Sequence, residues 1–424
     1  MAWLGRGELP QGTVRWVSLA MWLLAVAAAV VLLIRTESIL RQPVNLFPGY
    51  YTAAKLIQNN EDIARFYDDD WYIMRVSEFI PGSIEIYYAN TPLMAFFFRP
   101  LAEISYDGAR RVFAILSFAA LAAAAYLMSA ELGIKGAWRA AAFFAVFAAP
   151  PSLTNVAFGQ VYAILLLIFV LIWVAWRRGA EGLGGMLFGI VLAFKTAGLF
   201  FLPLIVLEKR WRALAAAGGT VGVLTLVTFP YVGRGGWEAY FERAGGLVGS
   251  PRMAFSGYLS VTGFARNLFR YDGEANLDPY FDAPALSFGI EAVAFLIIGG
   301  FATKLALTTK DRDIIFALFL MLTLILVPVV AYTHYCLAFL PACIIFSRLR
   351  ERMMSPLGVW FLVGGILSFG PGVDRARALV EWGGPVFFYA RLSGLMILMC
   401  LLIVLGVKNE WDAARPDPAP VSKA

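Results

Sequence analysis

The chain has 424 residues, of which 60% are hydrophobic and 15% charged, whereas soluble domains carry about 25% charged residues. This composition excludes a soluble domain and indicates an all-α polytopic membrane protein. The net charge of +6 comes from Lys and Arg between apolar segments, as in cytoplasmic loops, and so predicts no nucleic-acid partner.

The cysteines and the histidine restrict the kinds of metal site that the chain can form. Cys336, Cys343 and Cys400 all lie in apolar stretches, and His334 is the single histidine. The sequence therefore predicts no disulfide, no cysteine-based metal site and no site built from several histidines.

The first predicted element is a membrane-spanning helix over residues 16–34, which are apolar and long enough to cross a bilayer. The stretch is too long for the hydrophobic region of a signal peptide and lacks a small-residue cleavage site. The polar segment 35–110 follows, with most acids of the N-terminal third and tyrosine pairs beginning at Tyr50 and Tyr87. A long acidic and aromatic loop at this place predicts a functional surface held against the membrane.

Clusters of Lys and Arg recur between the apolar segments and mark the cytoplasmic side. If every segment between two clusters leaves and returns, about twelve transmembrane helices result, with both termini in the cytoplasm. A single integral-membrane domain then covers residues 1–409, a second periplasmic loop covers about 232–284, and residues 410–424 form a disordered cytoplasmic tail. The predicted spans are 16–34, 111–130, 140–150, 160–176, 183–195, 197–207, 213–231, 285–303, 314–330, 336–347, 357–369 and 391–407.

Two predicted helix pairs, 140–176 and 183–207, are too short for two full crossings of about 20 residues each. We expect short or broken helices there, because irregular backbone at membrane depth is tolerated where it lines a cavity. The turns of these pairs and the tight turn at 332–335 predict one cavity beneath the first periplasmic loop. Its expected polar residues are Asn155, Gln160, Lys195 and His334.

Asp68, Asp69 and Asp70 are the first candidates for chemistry in the long loop. Three adjacent carboxylates can supply a general base or hold a divalent cation through oxygen ligands. The structural alternative is a helix N-terminus, at which a capping Asp and acids in the first turn are stabilised by the helix dipole. That alternative requires no further partner.

Lys195 lies in an apolar stretch with no acid nearby in sequence. A lysine inside the membrane indicates function, because burying its charge is costly, and its ammonium suits a phosphate. The alternatives are snorkelling to the interface or pairing with an acid of another helix, such as Glu291. His334, at a turn between spans, can orient a phosphate or relay a proton, or else be a buried neutral imidazole.

Gln160 and the tyrosines also have simpler structural explanations. Gln160 can join helices by hydrogen bonds alone. Tyr50, Tyr51 and Tyr88 can form an aromatic belt at the membrane interface, or can contact the sugar rings or lipid of a substrate. No Walker, Rossmann, HEXXH or nucleophile-elbow motif occurs in a credible context, so an enzyme of this kind would take its donor from the membrane.

Several segments occur in an order and spacing that resemble glycosyltransferase family 87, a family of the GT-C superfamily. The resemblance covers about residues 14–345, and the order of the segments carries more weight than any single motif. The segments are FPGYYTAAKL (47–56), FYDDD (66–70), YANTPLMAFFFRPLA (88–102), FGQVYAILLL (158–167), GMLFGIVLAFKTAGLFFLPLIVLEKRWRAL (185–214) and VPVVAYTHYCLAFLPA (327–342).

The resemblance implies a GT-C-like fold with a long first periplasmic loop and a transferase that uses a polyprenyl-phosphate sugar, similar to the phosphatidylinositol-mannoside mannosyltransferases. Mannose, another hexose or a pentose would pass with inversion to a lipid or glycan acceptor. The reaction would occur at the periplasmic face of a bacterial inner membrane, whose lipids are further partners. By match of motif, Gln160, Lys195 and His334 fall on polar positions of the family's cavity, with Lys195 and His334 meeting the donor phosphate. No cofactor is implied with certainty, because the superfamily has members with and without a divalent cation.

One position departs from the family. The family usually has Asp just before the aromatic segment at Phe47, where this chain has Leu46. The proton-accepting role would then pass to Asp68, Asp69 or Asp70, or the acceptor would be activated differently.

Two other functions stay open beside glycosyl transfer. One is a transporter or flippase of lipid-linked sugars, a class that broken helices and the intramembrane Lys195 also suit. The other is a non-catalytic protein with the same fold, motivated by Leu46.

Overall fold

A computed structural model describes residues 11–42, 46–88, 90–195, 198–249, 254, 257–370 and 389–414. These residues form helices and their connections, with one isolated antiparallel bridge between Asp272 and Asn276. The predicted all-α class is confirmed for the described part of the chain.

The described residues contain seventeen α-helices joined by connections of different length. In chain order they are α1 (Gln11–Leu40), α2 (Phe47–Gln58), α3 (Asp69–Phe79), α4 (Pro92–Phe98), α5 (Tyr106–Glu131), α6 (Gly136–Ala148), α7 (Pro150–Phe158), α8 (Tyr162–Arg177), α9 (Glu181–Phe194), α10 (Phe201–Leu207), α11 (Trp211–Gly249), α12 (Val261–Phe269), α13 (Pro284–Thr308), α14 (Arg312–Leu326), α15 (Phe339–Leu349), α16 (Pro356–Phe369) and α17 (Ala390–Ala414). Short 3-10 helices between them are Ile63–Tyr67, Arg99–Glu103, Tyr332–Ala338 and Arg350–Arg352.

Helix length identifies the membrane spans of the described residues. Five helices are long and apolar enough to cross a bilayer: α1, α5, α11, α13 and α17. A sixth span results if α6 and α7, bent by 54° across the break between them, cross together. This bend falls within 140–176, where a broken helix is predicted.

The predicted count of about twelve transmembrane helices is not supported. Several predicted spans correspond to apolar helices that are short, among them α8, α9 and α16. The 16 residues of α8 extend for about 24 Å at 1.5 Å per residue, less than a hydrocarbon core about 30 Å thick. The protein is a polytopic membrane protein whose described residues form fewer full-length spans than its apolar segments predict.

The core is centred on α14 and α8. Every residue of α14 from Asp313 to Leu326 is buried, and most of α8 is buried too. By contrast, only 11% of the apolar window of α1, and 17% of those of α11 and α13, is buried. Helices that expose apolar side chains in this way face lipid, whereas a helix that is buried all round belongs to the interior.

Small residues bring α9 close to α11. A Cβ atom at Gly185 would lie 2.6 Å from Ala213 Cα, and one at Gly189 would lie 2.7 Å from the Ala217 carbonyl oxygen. Small residues four apart on both helices therefore let the two backbones touch, a common mode of helix association in membranes. The contact fixes α9, which ends directly before Lys195.

A charged network joins several helices at the end of the bundle where α8 ends and α14 begins. Asp313 accepts hydrogen bonds from Trp173 at 3.0 Å and Arg177 at 2.5 Å, both on α8. It also pairs with Arg348 of α15 at 3.3 Å, and Arg177 lies 3.9 Å from Glu131 of α5. Several of the Lys and Arg clusters that predict the cytoplasmic side lie here.

The predicted loops and tail contain helical structure. The segment 35–110 holds the end of α1 and all of α2, α3 and α4. The predicted second loop, about 232–284, starts beside a break in α11 at Gly233, where φ is 62°, and its first residues are helical as far as Gly249. α17 extends to Ala414, so the first residues of the predicted disordered tail are helical, and residues 415–424 lie outside the described residues.

Candidate active site

A cavity of about 490 Å³ lies at the other end of the bundle, where α8 begins and α14 and α9 end. It is bounded by the start of α2, the segment before α4, part of α11 and the segment that leads into the 3-10 helix Tyr332–Ala338. Among the described residues, its polar lining consists of Tyr50, Glu85, Tyr88, Asn90, Gln160, Tyr162, Lys195, Tyr240, Tyr258, Thr323, Thr333 and His334.

Gln160 is held in the cavity wall by Tyr50. The Tyr50 hydroxyl donates to Gln160 Oε1 at 3.0 Å, and its ring stacks on Phe98 at 4.7 Å between centroids. Gly159, which ends α7 with φ 73°, makes this turn possible. A Cβ there would lie 2.6 Å from Phe47 Cβ, so both the backbone angle and the space require glycine.

Lys195 enters the cavity from the end of α9. Its Nζ lies 5.7 Å from the centroid of the Tyr50 ring and 5.8 Å from that of Tyr162. No carboxylate of the described residues lies within 4.0 Å of it. The alternative pairing with Glu291 is not formed, because Glu291 pairs with Arg266 at 2.9 Å. The ammonium is therefore available for an anionic ligand.

His334 lies beside Lys195 in the same cavity, on the 3-10 helix Tyr332–Ala338. Its Nε2 is 2.5 Å from the Tyr162 hydroxyl, and its Nδ1 is 3.3 Å from Thr333 Oγ1. Asn155 stabilises this helix from outside the cavity by donating to the Thr333 carbonyl oxygen at 2.9 Å. Each ring nitrogen of His334 thus has a hydroxyl partner that fixes the orientation of the ring.

Glu85 also lines the cavity, although nothing in its sequence context distinguishes it from the other acids of the loop. Its carboxylate accepts hydrogen bonds from the backbone N–H of Leu46 and, at 3.1 Å, from that of Ile86. Burial raises the pKa of Glu85, while these two hydrogen bonds and the charge of Lys195 act to lower it. The only available signal was its place two residues before the pair Tyr87–Tyr88.

Two residues near the Glu85 side chain have a strained backbone. Leu46 has φ 85° and Tyr88 has φ 61°, and residues other than Gly, Asn and Asp rarely adopt positive φ. Both residues line the cavity, and the Tyr88 hydroxyl contacts that of Tyr258. Such strain persists only where the surroundings enforce it, and it concentrates at functional sites.

The three loop aspartates lie elsewhere in the described structure, and none of them lines the cavity. Asp68 caps α3 by accepting the Trp71 N–H at 3.2 Å, and Asp70 lies in the first turn. Asp69 pairs with Arg243 of α11 at 2.6 Å. The helix-capping interpretation therefore describes them, and the structure gives no support for one of them as a base at this site.

The other predicted cavity residues divide into two groups. Tyr50, Tyr88 and Gln160 line the cavity. Tyr51 does not: its hydroxyl donates to the Ile104 carbonyl oxygen at 2.8 Å. Asn155 is likewise a supporting residue outside the lining. Among the described residues, no three His, Cys, Asp or Glu side chains are grouped so as to hold a metal ion.

The fold and the cavity define a helical membrane protein with a polar, tyrosine-rich site at one end of its bundle. The sequence model of glycosyltransferase family 87 matches residues 88–331, more than half of the chain. The chain belongs to glycosyltransferase family 87, so the protein is a glycosyltransferase with a sugar donor and an acceptor. A search of curated proteins finds no match. The matched region includes Gln160 and Lys195, whereas Glu85 precedes it and His334 follows it.

Proposed function

We propose that the protein transfers a hexose, such as mannose, from a polyprenyl-phosphate donor to a hydroxyl of a lipid or glycan acceptor. The reaction takes place at the periplasmic face of a bacterial inner membrane. The observation that carries the proposal is the meeting of Lys195 and His334 with Gln160 and two tyrosines in one cavity, on a chain of glycosyltransferase family 87.

The charge of the cavity supports a monophosphate donor. Lys195 is the only Lys or Arg among the described lining residues, and no carboxylate pairs with it. Glu85 lines the same cavity and its charge acts on Lys195, but no salt bridge joins the two side chains, so the ammonium can meet the single negative charge of a phosphodiester. A nucleotide-diphosphate sugar would bring a second negative charge with no second cation to meet it.

Lys195 and His334 assist departure of the lipid phosphate. As the bond between the sugar C1 and the phosphate oxygen breaks, negative charge grows on the phosphate. A fixed ammonium stabilises that charge more strongly in a site with little water than it would in solution. His334 adds its Nδ1–H when the phosphate takes the place of Thr333 Oγ1, the 3.3 Å partner of that nitrogen. Tyr162 holds the imidazole in place throughout.

The tyrosines of the lining support a carbohydrate acceptor. Tyr50, Tyr88, Tyr162, Tyr240 and Tyr258 all face the cavity. Their rings can cover the apolar face of a sugar and their hydroxyl groups can bond its hydroxyls, which is how aromatic side chains with a polar end serve in binding sites. The wall at residues 327–331 is apolar and suits a lipid portion of either substrate.

Transfer in a defined membrane tests the proposal. Protein in nanodiscs, given radiolabelled polyprenyl-phosphate mannose and membrane lipid extract, should form a labelled product. Lys195→Ala and His334→Ala should each abolish turnover while the protein stays folded. Lys304→Ala, an exposed lysine on α13, is the matched control and should leave turnover unchanged.

Two results would contradict the proposal. Wild-type rates in both the Lys195→Ala and His334→Ala variants would remove the phosphate site. No product from any polyprenyl-phosphate sugar, together with movement of labelled lipid-linked sugar across liposomes, would favour the transporter or flippase instead.

A further inference from the structure

We propose that Glu85 is the general base that accepts the proton of the acceptor hydroxyl, an inference that rests on the glycosyl transfer proposed above. The reaction needs such a group, because a sugar hydroxyl becomes a competent nucleophile only as its proton is removed. The Leu46 side chain cannot take a proton, and Asp68, Asp69 and Asp70 lie outside the cavity lining.

Glu85 differs from the other shielded acids of the described structure in its partners. Asp313 pairs with Arg177, Glu208 with Arg210, and Glu291 with Arg266. Glu85 instead accepts only backbone N–H groups, and no cationic side chain of the described residues lies within 4.0 Å of its carboxylate. One N–H on each oxygen leaves a lone pair on each for a further hydrogen, which is what a base requires.

The surrounding backbone is shaped to hold this carboxylate in place. A Cβ at Gly49 would lie 2.9 Å from Glu85 Cγ, so the side chain lies directly against the first turn of α2. Leu46 holds the carboxylate from a backbone with φ 85°, and Tyr88, three residues after Glu85, has φ 61°. Strained backbone of this kind is typical of places where it holds a functional side chain in position.

The place of Glu85 also accounts for the departure at Leu46. The carboxylate of Glu85 bonds to the N–H of Leu46, 39 residues earlier in the chain. It therefore occupies the same corner of the cavity that a side chain at position 46 borders. A carboxylate reaches this corner from the segment before α4 instead of from the start of α2.

The protonation behaviour of Glu85 fits the role. Burial raises its pKa above that of an ordinary carboxyl, with Lys195 and the backbone N–H groups limiting the rise. A base of raised pKa is a stronger proton acceptor and remains ionised as long as the pH lies above that value.

The proposed step balances as follows. The acceptor hydroxyl gives its proton to a Glu85 oxygen while its own oxygen forms a bond to C1 of the donor sugar. The bond from C1 to the phosphate oxygen breaks, and its electron pair leaves with polyprenyl phosphate, whose charge Lys195 and His334 meet. Attack from the face opposite the leaving group inverts the configuration at C1, and Glu85 later releases its proton to water.

Substitutions that keep the shape of the side chain test the inference. Glu85→Gln should lower kcat by about 10²- to 10⁴-fold, the usual contribution of a general base, and leave binding of radiolabelled polyprenyl-phosphate mannose unchanged. Glu85→Asp should retain part of the activity. Glu78→Gln, a matched change on α3 at an exposed carboxylate paired with Arg75, should behave as wild type.

Rescue separates a base from a residue that merely supports the fold. Added formate should restore part of the transfer activity to Glu85→Ala, because an external carboxylate can replace a missing base but not a missing packing contact. Wild-type kcat in Glu85→Gln would overturn the inference, as would loss of activity in Asp70→Asn but not in Glu85→Gln.

The two proposals fail in different ways. If the wild-type protein forms no product with any polyprenyl-phosphate sugar, the proposed function is wrong and this inference falls with it. If the wild-type protein is active and Glu85→Gln equals it, only the assignment of Glu85 is wrong.

Discussion

Gly159 shows how a single residue sets the geometry of the cavity wall. It combines φ 73° with a position at which a Cβ would lie 2.6 Å from Phe47 Cβ. Gly179 has the same φ of 73° but open space around it, so it isolates the cost of the backbone angle alone.

We expect Gly179→Ala to cost about 1–2 kcal/mol of stability, the penalty of the left-handed conformation. Gly159→Ala should cost more, by about 1–3 kcal/mol, because the extra methyl group overpacks against Phe47. Thermal unfolding in detergent measures both, and equal costs would show that Phe47 yields without penalty.

The ionised form of the Glu85 carboxylate, which the proposed reaction requires, should lower the stability of the folded protein. Its pKa is raised in the folded protein, so the fold binds its proton more tightly than the unfolded chain does. At low pH, wild type and Glu85→Gln should therefore have equal free energies of unfolding. The wild-type value should fall below that of the variant as the pH rises from about 4.3 to the raised pKa, and the difference should then stay constant.

Thermal midpoints of both proteins between pH 4 and pH 8 test this relation. A Glu85→Gln protein that is less stable than wild type at neutral pH would mean that the carboxylate is favourably paired in the fold.

Residues could be predicted from the sequence where their type was unusual for its surroundings. Lys195, His334 and Gln160 are polar groups within apolar stretches, and the structure brings all three to one cavity. Glu85 is an ordinary acid in a polar loop, and only the fold of that loop places it beside Leu46. The run of Asp68 to Asp70 was conspicuous because it starts a helix.

At the level of elements, the approach of α9 to α11 determines where Lys195 lies. The contact has no space for a side chain at Gly185, where a Cβ would lie 2.6 Å from Ala213 Cα. Because the obstacle is backbone, neither helix can give way by a change of rotamer.

We expect Gly185→Ala to separate the two helices, with a loss of about 1–3 kcal/mol of stability and reduced donor binding through displacement of Lys195. Gly182→Ala, in the first turn of the same helix with nothing within 4 Å, should be neutral or stabilise by up to about 1 kcal/mol. Thermal unfolding and donor binding test the two variants. Wild-type donor affinity in Gly185→Ala would show that the helix contact does not determine the position of Lys195.

Element positions were more predictable than their roles. Apolar periodicity located most of the long helices, and the short helix pair at 140–176 predicted the bend between α6 and α7. The count of about twelve spans is not supported, because an apolar run looks alike whether it crosses the bilayer or lies short within the bundle. α2 and α4 were not predicted, because their segment was taken as a periplasmic loop, whereas a helix starting at Asp68–Asp70 was one of the two interpretations of that run.

At the scale of the whole molecule, α8 and α14 run between two ends of opposite character. One end carries the charged network around Asp313, and the other carries the cavity. Basic residues collect on the cytoplasmic side of membrane proteins, so we expect the cavity to face the periplasm.

Labelling of single cysteines tests this orientation. In spheroplasts carrying Cys400→Ser, a membrane-impermeant maleimide should modify Glu274→Cys, in the turn between α12 and α13. Lys209→Cys, between α10 and α11, should react only after permeabilisation. Cys336 and Cys343 are buried and give a low background. The reverse pattern would place the cavity in the cytoplasm.

Leu46 borders the same corner of the cavity as the Glu85 carboxylate, so either position can supply a base. Leu46→Asp should add a carboxylate at the corner that Glu85 now occupies. We expect Leu46→Asp to rescue Glu85→Gln in the transfer assay, and Leu46→Ala to leave it inactive. A protein with a carboxylate at both positions would stay active after losing either one. The general base could therefore move between positions 46 and 85 during evolution without a loss of activity.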